Sequence, residues 1–433
     1  MRISSLVATI TLSLTLAACN FNPESEADAD PAAQVSSDAS ADQNGADEMA
    51  SNDPAPGEQA DMQIPDSEER PTMQMQVVLD RQGFTPGVVD GRMGMSTKNA
   101  IRGFQEANDL EVTGEANEET KAAMQQWSNI PATRVVTIPA SFAQEQFEDI
   151  PNSAEAKAKM DRLGYTSLDE KLAERFHTTI DTLKRLNPDG KPAGMTAANE
   201  GAAANSASAN AASTTAPSKQ KQSSQPTKTA AASIDRSSTD GSNGSERMAN
   251  ADESYFKAGQ QIRVPNIGAD KIASGSVDDE GWLATLRTLG VGTDQPKVDR
   301  VVVSESAGTL KAYDSSDKLV AMYTATMGSE NDPLPIGDWK ILGVAHNPPF
   351  AYNPELFWDV PDSEEKQMMP PGPNGPVGVV WIDLSKEHYG IHGTPEPQTI
   401  GRVQSHGCIR LTNWDAARLA QMVHSGTKAV FET

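Results

Sequence analysis

Apolar and polar positions alternate with different periods along the chain, and each change of period marks a change of element. The first 18 residues begin with a positive Met1-Arg2 and continue as a mostly apolar run to Ala18, as an export signal does. No period is visible from residue 19 to 70. In MQMQVVLDRQGF (73–84) the apolar residues predict a short helix ending near Gly83, and Asp90-Gly91 predicts a tight turn. Ala100, Ile101, Phe104 and Ala107 recur at helical spacing behind Ser96, a candidate cap, and a third helix is expected over 118–124 after a break at Gly114. Two further helical stripes follow: Leu168, Leu172 and Phe176, then Ile180, Leu183 and Leu186 after Thr179, stopped by Asn187-Pro188. His177, between them, reads as an exposed helix residue. Residues 192–253 are Ala, Ser, Asn, Thr and Gln without period, and FKAGQQIRVPN (256–266) then reads as a strand. From Asp299 onward the alternation has period two between Gly, Asp and Ser turn signals, with a strong strand over 376–384. The Pro-rich, aromatic stretch 346–375 is too irregular for a core and reads as a surface loop. Thr412 to Asp415 open a helix as a capping box, Ser425-Gly426 end it, and KAVF closes as a strand.

These periods divide the chain into a signal (1–18), an aperiodic segment (19–70), a small all-α module (71–128), a helix pair with a distant strand (129–266), a linker (267–298) and a mainly β C-terminal domain (299–433). Charge changes the reading of the second of these. The chain carries a formal net charge of -24, and residues 20–70 hold 14 Asp or Glu against one Arg. With few large apolar residues, this segment is expected to be a disordered tether, about 40 Å across as a flexible chain. So acidic a protein offers no basic footprint for nucleic acid. No later stretch has the 18 or more apolar residues of a membrane-spanning helix. Leu16-Ala17-Ala18-Cys19 resembles a bacterial lipobox, which implies a lipidated Cys19 and a membrane anchor facing the periplasm.

That leaves Cys408, the other of the two cysteines. An unpaired thiol in an exported chain points to intermolecular pairing or to reactivity. Four of the six histidines, His388, His392, His406 and His424, lie around it; His388 and His424 read as solvated. Residue chemistry alone leaves three readings open. Cys408 is a small buried apolar residue, a zinc ligand with His392 and His406, or a nucleophile whose proton an imidazole takes. Gly407 beside it permits the close backbone approach that an oxyanion hole needs.

Longer motifs carry resemblances. GFTPGVVDGRMGMSTKNAIRGFQ, with DLEVTG after it, resembles the peptidoglycan-binding three-helix domain of cell-wall hydrolases. Residues 163–191 are similar to the middle of a LysM repeat, a wall-glycan-binding βααβ unit, closed by 256–266 across a 62-residue low-complexity insertion (192–253). Growing a short loop to that length costs about 2.4 kcal/mol, which a folded unit tolerates. IHGTPEPQTIGRVQSHGCIRLTNWDAARL (391–419) resembles the signature of the YkuD-type L,D-transpeptidase catalytic domain. The resemblance implies that Cys408 is the nucleophile and His392 the base, oriented by the Gly393 carbonyl. His406 and Ser405 would shape the pocket, the Gly407 and Cys408 amides would hold the oxyanion, and Arg410 would brace the loop or meet a substrate carboxylate. It further implies thioester acyl transfer from peptidoglycan tetrapeptide stems, without cofactor or metal, and acylation by carbapenems. The acceptor would be a stem diamino acid, a Lys of a wall-anchored protein, or water. The last would make the chain an L,D-carboxypeptidase, and a vestigial domain would make it a non-catalytic wall-binding lipoprotein.

Overall fold

The structure is a computed structural model and describes residues 64–195, 254–268, 271–357, 360 and 363–433. The signal, Cys19, the tether as far as residue 63 and insertion residues 196–253 lie outside the described residues. The helical N-terminal region comprises α1 (Pro71–Arg81), a two-residue β1 (Phe84–Thr85), α2 (Met95–Ala107) and α3 (Glu118–Met124). The helical stripe of α2 does what its spacing predicts: Ala100, Ile101 and Phe104 are fully buried. Ser96 does not cap it; the N-cap is Gly94, which has no side chain to accept a hydrogen bond. The expected tether also ends early. Ile64 is buried, and the Asp66 carboxylate accepts from Arg70 and Thr133 at 2.8 Å each.

Next come β2 (Thr133–Thr137), two single turns, α4 (Ala140–Ala143) and α5 (Ala154–Lys157), and the helix pair α6 (Leu168–Arg175) and α7 (Ile180–Leu186). Ser167 and Thr179 cap the pair through their side-chain oxygens. β3 (Gln261–Pro265) returns from beyond the insertion and pairs antiparallel with β2, Thr133 opposite Pro265 and Thr137 opposite Gln261. This return segment buries Phe256, Ile262 and Val264 completely. At roughly 1.5–3 kcal/mol for each such side chain, their burial outweighs the about 2.4 kcal/mol of loop closure.

The stretch read as a linker holds a helix, α8 (Glu280–Leu289), because Trp282, Leu286 and Leu289 form a buried stripe in the C-terminal core. That core belongs to a mainly β body: β4 (Arg300–Ser304), β5 (Thr309–Tyr313), β6 (Leu319–Thr324), β7 (Thr326–Met327), β8 (Gly337–His346), β9 (Phe350–Tyr352), β10 (Gln367–Met369), β11 (Val380–Leu384), β12 (Gly390–His392), β13 (Ile409–Arg410), α9 (Asn413–Met422) and β14 (Lys428–Glu432). Ten strands form one sheet in the order β1-β6-β5-β4-β14-β8-β11-β12-β13-β7. The long β8 pairs with β14 through Gly337–Lys340 and with β11 through Ile341–His346, so it joins the two halves. β9 and β10 make a separate antiparallel pair inside the stretch read as an irregular loop.

The modules are not beads on a string. β1 adds to the sheet edge, parallel to β6, with Phe84 opposite Met322. His177 is not exposed: it is fully buried, with a left-handed backbone (φ 49). Its ring stacks on Trp414 of α9 at 4.9 Å, with Nδ1 3.2 Å from Asp80 of α1 and Nε2 3.0 Å from the Leu289 carbonyl. Arg418 of α9 donates to both oxygens of Asp80 at 3.1 Å. Burial would raise the Asp80 pKa, but Arg418 and His177 together hold it well below the usual carboxylate range. Burial holds His177 below its usual value despite Asp80. One ion-pair network therefore joins the helical region, the helix pair and the β body.

Candidate active site

The site grows from the register of three short strands. β11 pairs antiparallel with β12, Trp381 opposite His392, and β12 pairs parallel with β13, Ile391 beside Ile409 and His392 beside Arg410. Ile391 and Ile409 point into the core, fully buried. The two-residue side-chain period of a strand turns His392 and Arg410 to the opposite face. Cys408, one residue before β13, shares that face beside Gly390. Sequence spacing therefore brings Cys408, His392 and Arg410 together across two neighbouring strands.

His392 is buried, and its ring stacks on Trp381 at 5.6 Å and 19°. Its Nδ1 lies 2.7 Å from the Gly393 carbonyl oxygen. A carbonyl can only accept, so Nδ1 carries the proton and the neutral ring leaves Nε2 bare. Burial, then the charge of Arg410, pull the His392 pKa down to about 4, against the Gly393 bond. The half-buried Cys408 thiol donates to the His388 carbonyl at 3.8 Å. Burial pushes its pKa above the ordinary 9.0, opposed by the Gly390 amide and Arg410. The resting pair is thus a thiol and a neutral imidazole, suited to proton transfer during attack rather than to a preformed ion pair.

The loop before β13 is held at its ends. Ser405, buried, donates its Oγ to the Cys408 carbonyl at 2.7 Å, and its amide donates to Gly328 O at 3.0 Å. Gly407 adopts φ +89, and a Cβ there would stand 2.6 Å from the Tyr389 ring. The amides of Gly407 and Cys408 donate to no acceptor among the described residues. His406 meets Phe357 edge-on at 5.1 Å, so the 346–375 stretch reaches the motif. His388 is 63% exposed in its side chain and turns its carbonyl, not its ring, toward Cys408. His424 is exposed.

Residues 298–431 match the family described as "L,D-transpeptidase catalytic domain", and residues 70–124 match the "Putative peptidoglycan binding domain" family. The chain carries an L,D-transpeptidase catalytic domain. Among curated relatives, a "Putative L,D-transpeptidase YkuD" of Bacillus licheniformis is 35% identical over 30% of this chain and 62% of its own length. Its Bacillus subtilis namesake is 54% identical over 13% of this chain and 34% of its own. The chain thus spans less than two thirds of either relative. A solved L,D-transpeptidase from Mycobacterium smegmatis is 23% identical, covering 31% of this chain and 58% of that one, with a TM-score of 0.25.

Within the L,D-transpeptidase domain, sequence reasoning left three groups without a role. Trp381 stacks on His392, and only the strand register reveals that. Tyr389 packs on Gly407, and burial, with Asp332 and Cys408 adding, raises its pKa. Its position between His388 and His392 was the available signal. The third is Asn413, fully buried, whose Oδ1 accepts from the Val379 amide at 3.3 Å. Its Nδ2 donates to the Pro373 carbonyl at 3.1 Å and to Glu174 Oε1 at 2.8 Å. Glu174 belongs to α6, outside the domain, and burial raises its pKa to about 8. No sequence signal links those two residues.

Proposed function

We propose that the chain is an exported, lipid-anchored L,D-transpeptidase that acts on peptidoglycan tetrapeptide stems through a thioester on Cys408. The observation that carries this is the shared face of Cys408 and His392, with Nδ1 of His392 committed to Gly393. Nε2 takes the thiol proton as Sγ attacks the carbonyl carbon of the third stem residue. The amides of Gly407 and Cys408 donate to the developing oxyanion. The intermediate collapses with cleavage of the peptide bond, and the His392 proton leaves on the amine of the terminal D-alanine. An amine then attacks the thioester, gives a proton to Nε2 and expels the thiolate, which is reprotonated. The side chain of a diamino acid yields a cross-link, a Lys of a wall-anchored protein yields an attachment, and water yields a tripeptide. Ser405 holds the loop through the Cys408 carbonyl, His406 shapes the pocket, and Arg410 lies close enough to stabilise negative charge.

Cys19 is the anchor in this reading, residues 1–18 the signal, and the acidic segment the tether on which the enzyme searches the wall from the periplasmic side. The helical N-terminal region binds peptidoglycan. The βααβ arrangement of β2, α6, α7 and β3 supports a LysM-like glycan-binding unit. Binding modules on the same chain raise the local concentration of stems. Incubating the chain with disaccharide-tetrapeptide and weighing protein and products tests the reading. A thioester on Cys408 and a dimer lacking one D-alanine are expected; an unmodified Cys408 with no product sinks it.

Two further outcomes follow from the geometry. Because His392 ionises near 4 and Cys408 above 9, kcat/KM should stay flat between about pH 5 and 8; protonation of His392 lowers it only in acid. A stopped-flow acylation profile with an inflection near 6.5 contradicts this assignment. Gly393→Ala would drive a Cβ into Asn413 Oδ1. The shift displaces the carbonyl that orients His392 and is expected to cut turnover about a hundredfold. Turnover measured beside the unfolding midpoint separates this from a loss of fold.

A further inference from the structure

A cleft of about 750 Å³ opens where the three modules meet. One wall is the β1–α2 segment of the helical region, a second is the helix pair, and the third is 395–402, the stretch of chain that joins His392 to Cys408. The volume suits a ligand of several residues or sugars. Three guanidinium groups line it: Arg92, Arg185 and Arg402. Four carboxyl side chains, Asp90, Glu170, Glu174 and Asp181, line it as well. Arg185 donates to the Asp90 carbonyl and to Thr182, and none of the three pairs with a carboxylate among the described residues. Three of the four acids accept hydrogen bonds from other groups, Glu174 from Tyr165 and Asn413, whereas Asp181 stands in the first turn of α7. Asp90 accepts from Gln76 and from the Arg92 amide; Glu170 accepts from Thr166 and Asn374. A second cavity, about 340 Å³, shares Asp90, Arg92 and Arg185 and extends the groove toward Arg70.

Resting on the function proposed above, we infer that this three-module cleft binds a carboxylate-bearing stem of the peptidoglycan strand, held by Arg92, Arg185 and Arg402. Guanidinium groups match carboxylates in geometry as well as in charge. The cleft is also wired to the site. Glu174 lines it, and its Oε1 accepts from Asn413, whose own Oδ1 abuts Gly393. An occupant therefore touches Glu174, the hydrogen-bond partner of the side chain packed on Gly393. An isolated β body would lack two of the three walls.

Calorimetry of the full chain carrying Cys408→Ala tests this, using disaccharide-tetrapeptide and the same ligand with its carboxylates amidated. The acid form should bind at least tenfold more tightly than the amide. Arg92→Glu with Arg402→Glu, both at exposed positions, should erase that preference, and Arg92→Lys with Arg402→Lys should keep most of it. Equal binding of the two ligands overturns the inference, as does an unchanged preference in the Glu pair or no binding of either ligand. Thioester formation on Cys408 in the unsubstituted chain is read separately by mass. A failure of the cleft is thereby distinguished from a failure of the catalytic reading.

Discussion

Cys408→Ala is expected to reduce thioester formation and cross-linking at least about 10⁴-fold, with the folded state unchanged. The magnitude follows from the resting chemistry. Cys408 is a thiol whose pKa burial raises, and His392 is a neutral base whose pKa burial lowers. Neither group alone is activated, so catalysis depends on concerted use of both. Groups that act as a unit lose nearly everything with the first removal. His392→Ala should therefore cost about as much as Cys408→Ala, and the double variant should cost little more. Product analysis with disaccharide-tetrapeptide and a carbapenem adduct assay measure the three variants. Additive losses would mean that the two residues act in separate steps. Tripeptide release surviving in Cys408→Ala would mean that water attacks the stem directly.

The second large effect is one of stability. Asp80→Ala should destabilise the folded chain by about 3–5 kcal/mol at pH 7, because it leaves the Arg418 guanidinium buried without its counter-charge. That is a large part of a typical total of about 5–15 kcal/mol. The Asp80 side chain is fully buried and Arg418 is 5% exposed, so solvent screens little. The pH dependence has a definite sign. Asp80 titrates lower in the folded state than its ordinary 3.8. Its contribution is present above about that pH and is lost as the pH falls through the folded value. The gap between the variant and the original chain should therefore close in acid. Replacing both partners, Asp80→Leu with Arg418→Met, should cost less than Asp80→Ala, since no unpaired charge remains. Urea unfolding at pH 7 and pH 3 reads all three. A loss below about 1 kcal/mol for Asp80→Ala would show that the junction is not held by this network.

Much of the local structure was legible because it depends on neighbours in sequence. The helical stripes of α2, α6 and α7 and the Thr412 cap were readable from period and residue type, as was the alternation of the β body. Cys408 and His392 were legible as chemistry, since a lone thiol among histidines is uncommon and the 391–419 motif is long. Errors arose where burial depends on distant segments. His177 carries a polar side chain between two helices, and nothing local indicates that Asp80 lies 3.2 Å away with Trp414 stacked on its ring. The stretch around α8 carries cap signals, Asp279 before the helix and Gly290 after it, but only the distant core shows what Trp282, Leu286 and Leu289 pack against.

The sequence by itself determined many of the secondary elements and the resemblance of the catalytic domain, and it singled out a candidate thiol and imidazole, because these rest on short-range periodicity and contiguous motifs. Only the tertiary structure decided that β1 joins the sheet of the β body, that one buried ion-pair network links the modules, that Glu174 reaches Asn413, and that three arginines from separate segments face one cleft. Such contacts join residues tens to hundreds of positions apart. Their geometry comes from the packing of whole elements, which no local pattern encodes.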